Sequence, residues 1–305
     1  MANVMNDDLT YQVGEDPPMT TAKEWWRGEH CNFIPSHKNL GEPDGVDKYI
    51  LDGWLPTEPF ITRSTYVTAF GSCFAHQIRK RLRDYSSYVP QYPDLPIVHY
   101  GEAINTTFAV LQQFRWALEG DSFDGRWHDQ DVNLVVPTEE MRQNTKEVFE
   151  KTEVFILTLG LSEVWCDKQT GDVFWRTIPQ ESYDPERHQF RVTTVEENRQ
   201  NLVSIVQLIR RYNPKAKIIF TLSPIPLNAT FRPVSCITAN SVSKAILRVA
   251  VDELMRDAVT DVYYWPAYEI VKEFYPAPYQ GDNRHIKPEL TKFILDKFFH
   301  YYMKE

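Results

Sequence analysis

Two short stretches of this chain hold residues whose types and spacing could do acyl chemistry, Gly71-Ser72 and Asp282-x-x-His285. A serine hydroxyl attacks a carbonyl only when a base takes its proton. An imidazole serves as that base when a carboxylate orients its other nitrogen. Asp282 stands three residues before His285, close enough for its carboxylate to fold back onto Nδ1. Ser72 follows a β-branched and aromatic run, Tyr66 to Phe70, and precedes Phe74, Ile78 and Leu82 at every fourth position. That order reads strand, tight turn, helix. It sets the serine beside the free N–H groups of a helix start, which can hold a developing oxyanion. The same serine also suits a plain helix cap, and the same Asp-x-x-His suits a surface turn.

Such residues need a frame to bring them together. Continuous apolar runs at Val154–Gly160 and Lys217–Leu222 have the character of strands buried on both faces. Val262-Tyr263-Tyr264-Trp265 reads as a last strand, and Leu95 to Gly101 as a second one ending in glycine. Helical patterns fall between them, at residues 105–118, 139–151, 194–211, 241–257 and 288–302. Gly120 stops the first of these, and Thr194-Val195-Glu196-Glu197 opens the third as a capping box. This alternation predicts a three-layer α/β/α fold with a parallel sheet of about five strands, of the flavodoxin-like kind. Thr170-Gly171-Asp172 between two aromatic runs predicts a hairpin of 165–167 with 173–176. With Phe190–Thr193 it marks a small β insertion at about 165–193. Residues 1–60 are rich in Pro, Gly and Asp and read as an extension wrapping the 61–305 domain, anchored by Trp25, Trp26, Phe33 and Trp54.

In open α/β sheets the loops at the carboxyl ends of strands build the site. Ser72, Gly101 with Asn105, Gly160 to Glu163, Ser223, and Asp282 to His285 all fall there. Ser241-x-x-Lys244 has a spacing used by penicillin-binding enzymes, but no S-D-N or K-T-G stretch accompanies it, so Lys244 is expected to hydrogen-bond near the cleft. His128 and His188 stand in polar stretches and are expected to be solvated.

A formal charge of −9 with no basic face excludes a general nucleic-acid binder. The four cysteines are scattered without metal-ligand spacing, so neither a metal nor another cofactor is expected. No run approaches the length of a membrane span, and the first residues are polar and acidic, so no membrane partner and a cytoplasmic setting are expected.

Gly71-Ser72-Cys73-Phe74-Ala75 is the signature from which the GSCFA family takes its name, and the chain resembles that family from about residue 55 to 290. The likeness continues through Thr158 to Trp165, Thr221-Leu222-Ser223-Pro224, Ser243-Lys244 and Asp282 to His285. The family is similar to the SGNH/GDSL hydrolases. That resemblance implies Ser72 as nucleophile, His285 as base, Asp282 as its orienting partner, and Gly101 as an oxyanion-facing glycine. The third block departs from the superfamily. Gly160-Leu161-Ser162-Glu163 stands where Gly-x-Asn-Asp would place an oxyanion asparagine, a donor worth about 3 kcal/mol in the transition state. Ser162, Asn105 or backbone N–H groups are the candidate substitutes, and Glu163 either orients a neighbour or is a buried, paired carboxylate.

The implied activity is a serine esterase acting on O-acyl, above all O-acetyl, groups of a small molecule or glycan through an acyl-enzyme. Acyl transfer by the same residues, or glycan binding and scaffolding after loss of the chemistry, are the alternatives. Oligomeric state has no signal in the sequence.

Overall fold

The structure, a computed structural model, describes residues 10–11, 19–20, 32, 34–85, 96–99, 101, 103–122, 127–128, 133–175 and 178–304. The two apolar runs become its central strands. β1 (Val67–Phe70), β2 (Val154–Leu159), β5 (Lys217–Leu222) and β6 (Val262–Trp265) lie side by side in the order β1-β2-β5-β6, every neighbouring pair parallel. Between them in the chain come β3 (Glu163–Asp167) and β4 (His188–Val192), which form a separate antiparallel pair.

Alternation along each strand explains why both faces are covered. Phe155, Leu157, Leu159, Ile218, Phe220, Leu222 and Tyr264 share one core with helices α2 (Thr107–Glu119), α3 (Glu139–Lys151), α4 (Val195–Tyr212) and α5 (Cys236–Arg256). On the other face Trp265 packs edge-on to Phe298 and Tyr302 of α6 (Pro288–Tyr302), at 5.4 and 5.9 Å between ring centres. Helix α1 (Cys73–Tyr85), which follows β1, is tied to α6 by an Arg81–Asp296 ion pair. Each fully buried Leu, Ile or Phe in these layers contributes on the order of 2 kcal/mol.

The helix ends follow their sequence signals. Thr194 and Glu197 form the capping box of α4, Gly120 closes α2 in the left-handed conformation, and Pro288 occupies the first turn of α6. Past α6 the chain returns to residues 60–61, which precede β1. The N–H groups of Phe60 and Ile61 both donate to the Tyr302 carbonyl, and Lys304 N–H donates to the Ile61 carbonyl.

Three expectations are corrected. The sheet has four strands among the described residues, because the run after Leu95 forms a helical turn, Pro96–His99, in place of a strand. Proline suits the first position of a helix, and Arg79 donates to the carbonyls of Ile97 and Val98, which a sheet neighbour would otherwise have to satisfy. The hairpin partner is also different. β3 pairs along its whole length with β4, and Val173 makes a single bridge to Cys166. The turn between them is tied off locally, since Asp167 accepts from the N–H groups of Gln169 and Thr170 and pairs with Arg187. His128 and His188 are buried; His188 Nδ1 accepts from Asp184 N–H.

The chain divides into two compact units, Met1–Gly53 and Trp54–Glu305. In the first, Thr10–Tyr11 pairs with Met19–Thr20, and Ser36 caps a short helix at His37–Leu40. Trp25, Trp26 and Phe33 lie outside the described residues. In the second, the Trp54 ring sits edge-on to Tyr264 at 5.3 Å. Among the described residues no helix is long and apolar enough to cross a membrane.

Candidate functional site

The turn after β1 puts Ser72 where the sheet ends and α1 begins. Gly71 has φ +135°, and a β-carbon there would lie 2.0 Å from the Thr158 carbonyl oxygen on β2. Only glycine fits so close a crossing of two backbones. Ser72 is buried. Its Oγ accepts from Phe74 N–H at 3.2 Å and its carbonyl accepts from His76 N–H at 3.3 Å, so it caps α1 as well as facing the site.

A cleft of about 430 Å3 opens above this turn, lined by Ser72, Asn105, Gly160, Glu163, Trp165 and Arg284 among others. Asn105 is fixed by its own backbone. Its carbonyl accepts from Gly160 N–H at 2.7 Å and Leu161 N–H at 3.3 Å, and its side chain packs over Gly160. Glu163 is a paired carboxylate. It accepts from Thr230 Oγ1 at 2.7 Å and lies 3.7 Å from Arg232, which fastens the wall formed by residues 225–231. Trp165, Phe190 and Phe231 meet edge-on or tilted at 5.2 to 5.4 Å, and Phe231 remains 56% exposed. Trp175 also lines the cleft, but its ring is buried edge-on to Trp127.

Two expected members stand apart from the cleft surface. Gly101 presents its carbonyl to Gly71 N–H at 2.9 Å and buttresses the turn from behind. Ser162 is buried beneath it, with its N–H donating to Ser243 Oγ.

Below the cleft floor Lys244 is buried and donates to the carbonyls of Gly160 at 2.8 Å and Ser223 at 2.7 Å. It thereby ties the carboxyl ends of β2 and β5 together. Burial pulls its pKa from the ordinary 10.5 down to about 7. Between those pH values the unfolded chain holds the proton and the folded chain does not, so this group makes stability rise with pH. The unfolding free energy of the native chain relative to Lys244→Met is expected to increase from pH 7 to pH 10 in denaturant titrations. A difference that stays flat over that range would remove the ammonium as the titrating group.

Asp282 and His285 come from a tight turn between Tyr279 and Ile286, which bridge antiparallel. Asn283 takes a φ of 56°, and the Asp282 carboxylate accepts from the N–H groups of Arg284 and His285, both at 3.0 Å. Its second oxygen meets His285 Nδ1. Those N–H groups, Arg284 first, and the imidazole hold the Asp282 carboxyl down at about 2. Tyr279 Oη donates to the Pro224 carbonyl and so fastens this turn to the opposite wall of the cleft. The His285 side chain is 55% exposed and makes no hydrogen bond to Ser72.

The structure thus gathers Ser72, Asn105, Glu163 and Arg284 on one cleft, and pairs Asp282 with His285 in the turn that carries Arg284. Arg284 lies inside the Asp282–His285 stretch, but the sequence gives it no role of its own. Among the described residues no group of three or more His, Cys, Asp or Glu converges as a metal set would.

The GSCFA family model matches residues 66–298. Among curated proteins no sequence matches the chain. Solved structures that resemble it distantly include three carbohydrate-active esterases. A family two carbohydrate esterase from Clostridium thermocellum is 14% identical, with 50% of this chain and 36% of that chain covered and a TM-score of 0.27. A carbohydrate esterase family 3 protein from Talaromyces cellulolyticus is 12% identical, with 63% and 86% covered and a TM-score of 0.30. An acetyl xylan esterase, Est2A, from Butyrivibrio proteoclasticus is 14% identical, with 63% and 53% covered and a TM-score of 0.28.

Proposed function

Because this chain belongs to the GSCFA family, we propose that it is an esterase-type hydrolase that removes an O-acyl group, above all acetyl, from a carbohydrate or other small alcohol. The observation that carries this reading is the Asp282–His285 pair, formed in the same turn as Arg284, which lines one cleft with Ser72.

In the reaction, His285 Nε2 takes the proton of Ser72 Oγ as that oxygen attacks the acyl carbon. The tetrahedral oxyanion collapses, the ester bond breaks, and the alcohol leaves with the proton from His285. Water then adds to the acyl-enzyme with His285 again as base, and the acid departs. N–H groups at the start of α1 and the Asn105 side chain are the donors for the oxyanion, in place of the absent third-block asparagine. Because the imidazole makes no hydrogen bond to Ser72 here, its approach to the hydroxyl belongs to the substrate-bound state. If an alcohol replaces water in the second half, the same steps give acyl transfer.

The exposed imidazole also favours a second reading, in which the cleft binds a glycan against Trp165 and Phe231 without turnover. A fluorophosphonate separates the two. The esterase reading expects one phosphonyl group per chain, located on the peptide that contains Ser72. A chain that stays unlabelled while folded is a binding protein.

A further inference from the structure

Arg284 is a cation with no counter-charge. Its side chain lines the same cleft as Ser72, and its Nε is shielded from solvent with no hydrogen-bond partner. Among the described residues no carboxylate lies within ion-pair distance of it. The two that come nearest in sequence or along the cleft are already committed. Asp282 is taken up by His285 and by the N–H groups of residues 284 and 285. Glu163 is taken up by Thr230 and Arg232. In a chain with an excess of nine negative charges, leaving a guanidinium unpaired in a semi-enclosed cleft runs against the general composition. Buried or half-buried arginine is normally paired, since removing its charge from water costs several kcal/mol without compensation.

An anion brought by the ligand supplies that compensation. The guanidinium presents a planar fork of donors that matches a carboxylate, and a fork pairs more strongly and more directionally than a single charge. The position of Arg284 is also set firmly. Its own N–H is one of the bonds that hold the Asp282 carboxylate, so the side chain leaves the same tight turn that carries His285.

We propose that Arg284 selects substrates bearing a carboxylate, which its guanidinium pairs with inside the cleft while the ester lies over Ser72. The inference rests on the esterase reading above. Its consequence is a substrate class, acyl esters with a second, ionised acid group, located either in the acyl part, as in a half-ester of a dicarboxylic acid, or in the alcohol part, as in an acetylated uronic acid.

Two matched pairs of esters test this and tell the sources apart. 4-Nitrophenyl hemiglutarate against 4-nitrophenyl butyrate places the carboxylate in the acyl part; acetylated glucuronic acid against acetylated glucose places it in the alcohol part. For at least one pair the native chain is expected to favour the charged ester in kcat/KM. Arg284→Gln is expected to lower that charged-to-neutral ratio by about 10- to 100-fold, and Arg284→Lys to restore part of it. A ratio that Arg284→Gln leaves unchanged in both pairs overturns the proposal, as does a native preference for the neutral ester in both. If the native chain hydrolyses none of the four, the esterase reading fails by itself and binding decides. Glutarate and glucuronate are then titrated against thermal unfolding. Stabilisation of the native chain that Arg284→Gln lacks upholds the carboxylate site, and equal behaviour of the two proteins removes it.

Discussion

Ser72→Ala is expected to lower kcat/KM for an activated acetate ester by about 10⁴-fold or more while the chain stays folded. The reason is that Oγ is the atom that forms the bond to the acyl carbon in the proposed mechanism. The structure also defines what the substitution does to stability. Ser72 Oγ accepts from Phe74 N–H, so the variant loses a helix cap, worth about 1 kcal/mol. A small fall in Tm with a collapse in turnover is therefore the expected signature. Kinetics with 4-nitrophenyl acetate beside a thermal melt reads both. Retention of more than a tenth of the activity would remove Ser72 as the nucleophile.

Asp282→Asn is the second large effect, with kcat expected to fall by about 10²- to 10⁴-fold and KM to change little. The carboxylate does three things at once. It accepts from two backbone N–H groups, meets Nδ1 of His285, and stays ionised because those donors hold its pKa at about 2. An asparagine keeps an oxygen for the backbone but turns an N–H toward Nδ1. The imidazole proton is then driven to Nε2, the nitrogen that must accept from Ser72. The low pKa also fixes the sign of the stability effect. What Asp282 contributes is fully present above the ordinary carboxylate range and is lost as pH falls toward 2. Stopped-flow or steady-state rates from pH 5 to 9 test the catalytic part, and a kcat equal to that of the native chain would sink it.

Much of this frame is legible in the residues themselves. Val154–Leu159 and Lys217–Leu222 read as buried parallel strands because both faces of the sheet are covered, so no polar alternation interrupts them. Thr194 and Glu197 cap α4 as their spacing requires, since the capping box is a purely local arrangement. Asp282 and His285 meet for the same reason, being three residues apart in one turn. The strand and hairpin errors depend on distant partners. The run at 96–98 has strand-like residues, but Arg79 from α1 satisfies its carbonyls and a helical turn results. β3 chose β4 over the nearer 173–175 segment, a choice made by a whole ladder and not by one turn sequence. Lys244 does hydrogen-bond near the cleft, and which carbonyls it ties together depends on β2 and β5 lying side by side. Arg284 was invisible because nothing in its neighbours in sequence says that its side chain faces a cleft.

The clasp of residues 60–61 on residues 302–304 bears on the order in which the site comes into being. Contacts of such long sequence separation are slow to form, because most of the chain must be ordered before its ends can meet. During synthesis the serine, the central strands and the cleft floor all emerge well before Asp282 and His285. The turn that carries those two residues leads directly into α6, and the clasp follows at the far end of that helix. In the proposed mechanism a nascent chain therefore carries Ser72 before the base that activates it, and turnover waits for α6 and the clasp to form.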